Sequence, residues 1–304
     1  MSNLDLSVNF AGITLKNPIT TASGTFSARE SGQFYDIGRL GAVITKGIAD
    51  VPWNGNPTPR IAEVYGGMIN AVGLQNPGVE EYIKTELPYL SKFDTKVIAN
   101  VAGHSIEEYC AVVERLNEEK EVSMYEVNIS CPNVKLGGIG FGTDPKMAAE
   151  VTKEVKKVAR KPVIIKLTPN VTNIAEIAKA VESEGADAVS LINTLLGMKI
   201  DIRRKKPVIA NTMGGFSGPA VKPVAVRMVY QVRRAVDIPI IGLGGIMTGE
   251  DAAEFIMAGA DIVSVGTAAL VNPTAPVDVL EGLENYMREE GFKTIKEIRD
   301  AFEG

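Results

Sequence analysis

Histidine is almost absent from this chain: His104 is the only one. A Ser-His-Asp triad therefore has a single candidate base, and a multi-histidine metal site is excluded. Cysteine is nearly as scarce, with only Cys110 and Cys131. Two thiols cannot build a disulfide framework or a four-cysteine iron-sulfur site, so any cluster chemistry has to come from another chain. No apolar run reaches the roughly 18 residues of a membrane span, and residues 1–10 lack the basic start and apolar stretch of a secretory signal. A cytoplasmic protein with no membrane partner is expected. The formal net charge is −5, and with no concentrated basic patch expected, nucleic acid is not an expected partner either. Linkers, low-complexity tracts and composition breaks are missing, so residues 1–304 are expected to form one domain.

What is present is a repeated pattern of short β-branched runs and amphipathic stretches. Eight such runs fall at 19–22, 42–45, 97–101, 125–129, 163–167, 188–192, 238–242 and 262–265. Eight strands with intervening helices close as a barrel, whereas an open doubly wound sheet needs fewer and leaves edges. The expected fold is α/β, a single (β/α)8 TIM barrel. Residues 6–9 and 13–15 flank Ala11-Gly12 and read as an N-terminal β-hairpin covering the barrel floor. Ser105 followed by Ile106, Glu107 and Glu108 has capping-box spacing, and Gly185 closes a helix that begins near Asn173. Connections 47–76, 130–143 and 193–218 are long and rich in Gly and Asn, as expected of active-site loops.

In such a barrel the site lies at the C-terminal strand ends, so polar residues that terminate apolar runs are the informative ones. They are Ser23, Lys46, Asn100, Asn128, Lys166, Asn193 with Thr194, Gly244 with Gly245, and Gly266 with Thr267. Lys46 ends GAVITK and Lys166 ends PVIIK. A lone lysine there often bends out to water. Two lysines together with Asn100 and Asn128 can hold an anionic ligand and offer amide donors and acceptors to a planar heterocycle. GLGGI from Gly242 and VGTA from Val265 place small residues where backbone amides approach a phosphate, with Ser217-Gly218 as a third side. Cys131 follows the fourth run in a Gly-rich loop and reads as a functional thiol, whereas Cys110, in a helical stretch, reads as an inert one. His104 reads as an ordinary loop residue near a helix start, and Trp53 and Tyr65 as packing of the second long loop.

Several motifs, in order, are similar to those of dihydroorotate dehydrogenase of class 1. They are NPITTASGTF from Asn17, GNPTPR from Gly55, NAVGLQNPG from Asn70, NISCPN from Asn128, INT from Ile192 and GFSGPA from Gly215. The chain most closely resembles the class 1B catalytic subunit, over nearly the whole barrel. The resemblance implies a flavoprotein of pyrimidine (UMP) biosynthesis that oxidises dihydroorotate to orotate. It implies FMN contacts at Ser23, Lys46, Gly47, Asn100, Asn128, Lys166, Ile192, Gly218, Gly244, Gly245, Gly266 and Thr267. Substrate contacts are implied at Lys46, Asn70, Ala71, Val72, Gly73, Leu74, Asn128, Asn193 and Thr194. Cys131 matches the family's base, taking the C5 proton while hydride leaves C6 for the flavin. Class 1B further implies a homodimeric core joined to a subunit that carries FAD and a [2Fe-2S] cluster, a heterotetramer passing electrons to NAD+.

Two other enzyme readings stay open from the residues: a class 1A homodimer linked to fumarate, and a Schiff-base lyase using Lys46 or Lys166. A non-catalytic barrel is a third reading, weakened by polar groups at nearly every strand end.

Overall fold

The computed structural model describes residues 4–130 and 140–304. Eight parallel strands form the central sheet: β1 (Ile19–Thr21), β2 (Ala42–Ile44), β3 (Lys96–Val101), β4 (Val122–Asn128), β5 (Val163–Lys166), β6 (Ala188–Leu191), β7 (Ile240–Leu243) and β8 (Ile262–Val265). Their hydrogen-bonded order runs β1-β8-β7-β6-β5-β4-β3-β2, with β1 and β2 the two ends. That seam is bridged by Thr21, whose hydroxyl accepts from Ile44 N–H at 3.0 Å and donates to Ile44 C=O at 3.2 Å. Gly41 N–H adds a bond to Ile19 C=O at 3.2 Å. The result is the expected (β/α)8 barrel, closed by a side chain where the ladder stops.

The strands read as continuous apolar runs because both faces are buried. Outward residues such as Val43, Val97, Val127 and Val263 join the helices in one large core, while Ala42, Ile44, Ile98, Met124, Ile164, Ala188, Ile241 and Ile262 fill the barrel interior. Phe10 and Leu15 complete that inner cluster from below. They belong to the hairpin of Val8–Phe10 and Ile13–Leu15, whose turn residues Ala11 and Gly12 both have positive φ (48° and 81°), the geometry of a type I′ turn that suits the twist of paired strands.

A short repeat ties the barrel's N-terminal face together. GADAVS at 185–190 and GADIVS at 259–264 each put an aspartate just before a strand. Asp187 accepts from Val163 N–H (2.7 Å) and pairs with Lys156, and Asp261 accepts from Ile240 N–H (2.8 Å) and pairs with Arg299. Each carboxylate thus fixes the start of one strand against its neighbour.

Three expectations change. Two of the long connections are not irregular: 47–76 contributes Ile61–Val64 and Gly67–Asn70, and 193–218 contributes Leu195–Met198 and Met213–Ser217, to a four-stranded antiparallel sheet over the barrel mouth. The reciprocal partner at the Ser105 cap is one residue earlier than a capping box has it. Ser105 Oγ accepts from Glu108 N–H, but Glu108 accepts from His104 N–H (2.7 Å). Third, the chain does carry a basic run. Arg203, Arg204, Lys205 and Lys206 are consecutive and exposed, at the turn of a two-stranded ribbon of Ile200–Asp201 and Lys206–Pro207.

Candidate active site

Strand alternation stacks the barrel interior in layers. Above the apolar floor comes a buried polar layer of Thr20, Asn100, Glu126, Ser190 and Ser264. Glu126 is its hub. This carboxylate, 0% exposed, accepts from Ser190 Oγ (2.7 Å) and Asn100 Nδ2 (2.5 Å), and its Oε2 lies 3.4 Å from Lys166 Nζ. Lys166, only 4% exposed, reaches from this layer into the space above.

That space is a cavity of about 740 Å³ between the strand ends and the antiparallel roof, within the range of small-molecule and cofactor sites. It gathers Ser23, Lys46, Asn128, Lys166, Ile192, Asn193, Thr194, Gly218, Gly244, Gly245, Gly266 and Thr267 from the strand ends. The roof and its loop add Asn70, Ala71, Val72, Gly73 and Leu74. Gly47 and Asn100 do not line it. They lie against each other, where a Cβ on Gly47 would come within 2.9 Å of Asn100 Oδ1. Cys131 falls outside the described residues; Ser130 and Gly140, the described residues on either side of that segment, both line the cavity.

The polar end is held from several directions. Tyr109 O–H donates to Asn128 C=O (2.8 Å), Asn193 Nδ2 donates to Asn128 Oδ1 (3.3 Å), and Ser130 Oγ donates to Lys166 C=O (2.9 Å). Burial, and secondly the charge of Lys166, hold the Lys46 ammonium below the ordinary lysine range. Two cations therefore face one cavity, with a carboxylate beneath one of them. Asn100 Oδ1 is buried with no hydrogen-bond partner among the described residues, an acceptor left unused by the protein.

The opposite end is lined by backbone. Gly245 has φ +86°, and a Cβ there would sit 2.9 Å from Gly218 O and Lys222 N, so only glycine leaves the turn open. Thr267 Oγ1 donates to Ser217 Oγ at 2.8 Å, placing hydroxyls beside the glycines. A cationic, amide-rich end and a glycine-lined end suit a planar anionic ligand and a phosphate, respectively.

Sequence reasoning missed Glu126, although the signal was there: a charged residue inside an apolar strand, two positions before Asn128 and so on the same face. It also missed Asn170, which lines the cavity, donates to Thr194 C=O (3.0 Å) and accepts from Leu196 N–H (2.8 Å). His104 stacks on Trp53 with ring centroids 3.9 Å apart, and neither lines the cavity. Tyr65 is fully exposed. Cys110 lies on the Ile106–Asn117 helix, where burial and then the carboxylates of Glu114, Glu154 and Glu107 push its thiol up, away from the reactive thiolate.

Among the described residues no helix is long and apolar enough to cross a membrane, and no group of three or more His, Cys, Asp or Glu side chains could hold a metal ion. Residues 5–287 match a family model described as dihydroorotate dehydrogenase. A curated protein of Alkaliphilus metalliredigens, named dihydroorotate dehydrogenase B (NAD(+)), catalytic subunit, is 62% identical over 99% of this chain and 100% of its own length. Proteins of the same name are 60% identical in Alkaliphilus oremlandii, over 98% of this chain and 99% of the relative, and 54% identical in Bacillus cytotoxicus, over 97% and 96%.

Proposed function

The chain belongs to the dihydroorotate dehydrogenase family, and on that premise we propose that it is the catalytic subunit of an NAD(+)-linked enzyme oxidising dihydroorotate to orotate in pyrimidine biosynthesis. One observation carries the reading: relatives so named are similar over nearly their whole length; the cavity's charge and amide pattern, suited to an orotate-like anion, supports it. The relatives' shared name favours this over the fumarate-linked and lyase alternatives.

The residues fit a flavin, which we read as FMN. The cation pair of Lys46 and Lys166 suits an isoalloxazine ring, and the glycine turn at Gly245, which a Cβ would fill, suits the phosphate. Ser23, Lys46, Gly47, Asn100, Asn128, Lys166 and Ile192 would hold the ring and ribityl portion, and Gly218, Gly244, Gly245, Gly266 and Thr267 the phosphate end. When bound, the flavin supplies the acceptor for the hydride that leaves C6 of dihydroorotate.

The chain's own residues do the rest. Lys46 anchors the substrate carboxylate, and Asn70, Asn128, Asn193 and Thr194 orient its amide edges, with the backbone of residues 71–74 closing one side. Cys131 takes the C5 proton. Support for that role is its place in NISCPN, directly after Ser130 at the cavity wall. Lys166 offers positive charge where the ring gains negative charge.

A catalytic subunit implies a second subunit. The reading extends to a partner carrying FAD and a [2Fe-2S] cluster, bound to a homodimer of this chain as a heterotetramer in the cytoplasm, with residues 1–304 acting as one domain. The test is direct. Purified chain should be yellow, release FMN on denaturation and bleach anaerobically with dihydroorotate; colourless protein that cannot be reconstituted with FMN would sink the reading. Cys131→Ala should keep its flavin and lose about 10²- to 10⁴-fold in the rate of bleaching, the usual worth of a general base. An unaltered rate would remove Cys131 from the mechanism.

A further inference from the structure

Glu126 has no part in the chemistry above, yet it is a fully buried carboxylate in contact with the cavity-lining Lys166. It sits on the inward face of β4 (Val122–Asn128), two residues before Asn128, and is fully buried. Its polar neighbours all donate: Ser190 Oγ to Oε1, and Asn100 Nδ2 and Lys166 Nζ to Oε2. Two of these neighbours, an amide NH2 and an ammonium, can only donate, and the Ser190 hydroxyl can turn to donate as well, so the set suits a carboxylate. Burying such a charge is expensive, and a buried ion pair is weak evidence for stability, because apolar residues of equal volume commonly do as well. The layer below manages with Met124, Ile98 and Ile164.

What Glu126 does change is the field above it. Lys46 and Lys166 both line the cavity, and Glu126 offsets one of their two charges. It also fixes the orientation of Asn100, because an acceptor-only carboxylate takes the amide NH2 and leaves Oδ1 as the unused acceptor. At 3.4 Å the contact with Lys166 is longer than a tight charge-assisted bond, leaving the ammonium its other donors for the cavity.

We propose that Glu126 is a positioning residue of the flavin site, which orients Asn100 and Lys166 and, by holding the cavity floor at one net positive charge, sets the flavin's reduction potential lower than the two lysines alone would. This rests on the flavin reading. A flavin that takes up electrons gains negative charge, so a more positive floor favours its reduced form and a more negative floor its oxidised form.

The experiment is an anaerobic redox titration of FMN-loaded protein against a reference dye, with circular dichroism to confirm folding. Glu126→Gln should titrate at a more positive potential than the parent, while Glu126→Asp, which keeps the charge, should return most of the way to it. Ser190→Ala removes an O–H that offsets the carboxylate and should shift the potential in the opposite, negative direction. Opposite signs from two neighbouring substitutions are not what loosened packing gives. A Glu126→Gln protein that holds flavin at the parent potential, or Glu126→Asp moving as far as Glu126→Gln, would overturn the assignment. Should Glu126→Gln fail to fold or to hold flavin, Ser190→Ala decides alone: a fall supports the role, and an unchanged or raised potential removes it. Parent protein that takes up no flavin removes the flavin reading and this inference with it, whereas loaded variants that all titrate alike remove only the inference.

Discussion

Lys46 shows how a single side chain can trade stability for binding. Its ammonium is held in a half-enclosed cavity wall, and burial together with Lys166 lowers its proton affinity below the ordinary value of 10.5. The folded chain therefore binds fewer protons here than the unfolded chain between the depressed value and 10.5, so this group's cost to folding is greatest at neutral pH and shrinks as pH rises. Lys46→Met should accordingly raise the melting temperature of ligand-free protein at neutral pH by roughly 2–4 °C, the response of a large domain to about 1 kcal/mol. The gain should narrow toward pH 10, because the parent sheds the costly proton first. The same variant should lose orotate affinity, measured by titration of the flavin spectrum. A variant less stable than the parent at pH 7 would show that the ammonium has a partner worth more than its desolvation. Stability sacrificed at a binding site is a common compromise.

At the scale of elements, the floor hairpin and the phosphate-end turn make separable predictions. Phe10 is fully buried and plugs the barrel from below, on the face opposite the cavity. Phe10→Ala should cost about 3–5 kcal/mol in urea unfolding and leave bleaching per folded, flavin-loaded molecule unchanged; a large kinetic loss would mean that the floor is coupled to the site. Gly245→Ala should do the reverse. Its methyl meets backbone at 2.9 Å on two sides and its φ of +86° disfavours any side chain, so the turn must shift and FMN retention through gel filtration should fall. The barrel itself was legible because strands such as 163–166, VIIK, are apolar and β-branched on both faces. The roof was not. Its strands include MGGFS at 213–217 and GMIN at 67–70, whose composition reads as loop and whose pairing, Gly215 opposite Asn70, depends on contacts far apart in sequence. Glu126 escaped notice for the same reason, since its partners come from three other strands and only the closed barrel brings them together.

For the whole molecule, the question is where electrons go once they enter the cavity. The chain has two cysteines, too few for a four-cysteine iron-sulfur site, and among the described residues no group of three or more His, Cys, Asp or Glu side chains could hold a metal ion. The relatives' names join NAD(+) to the words catalytic subunit, which divides the labour between at least two chains. On the proposed reading the cavity of about 740 Å³ takes a flavin and a small anion, which leaves NAD+ to be met on the second chain. The purified chain alone, mixed anaerobically with dihydroorotate and NAD+, should therefore form about one orotate per flavin, a stoichiometry that follows from a two-electron cofactor with no outlet, and then stop. Supplying the electron-transfer subunit should restore steady NADH formation, followed by its absorbance, and high salt during mixing should delay that recovery if the exposed basic run from Arg203 to Lys206 steers the encounter. Continuous NAD+ reduction by the isolated chain at the rate of the assembled enzyme would overturn the division of labour.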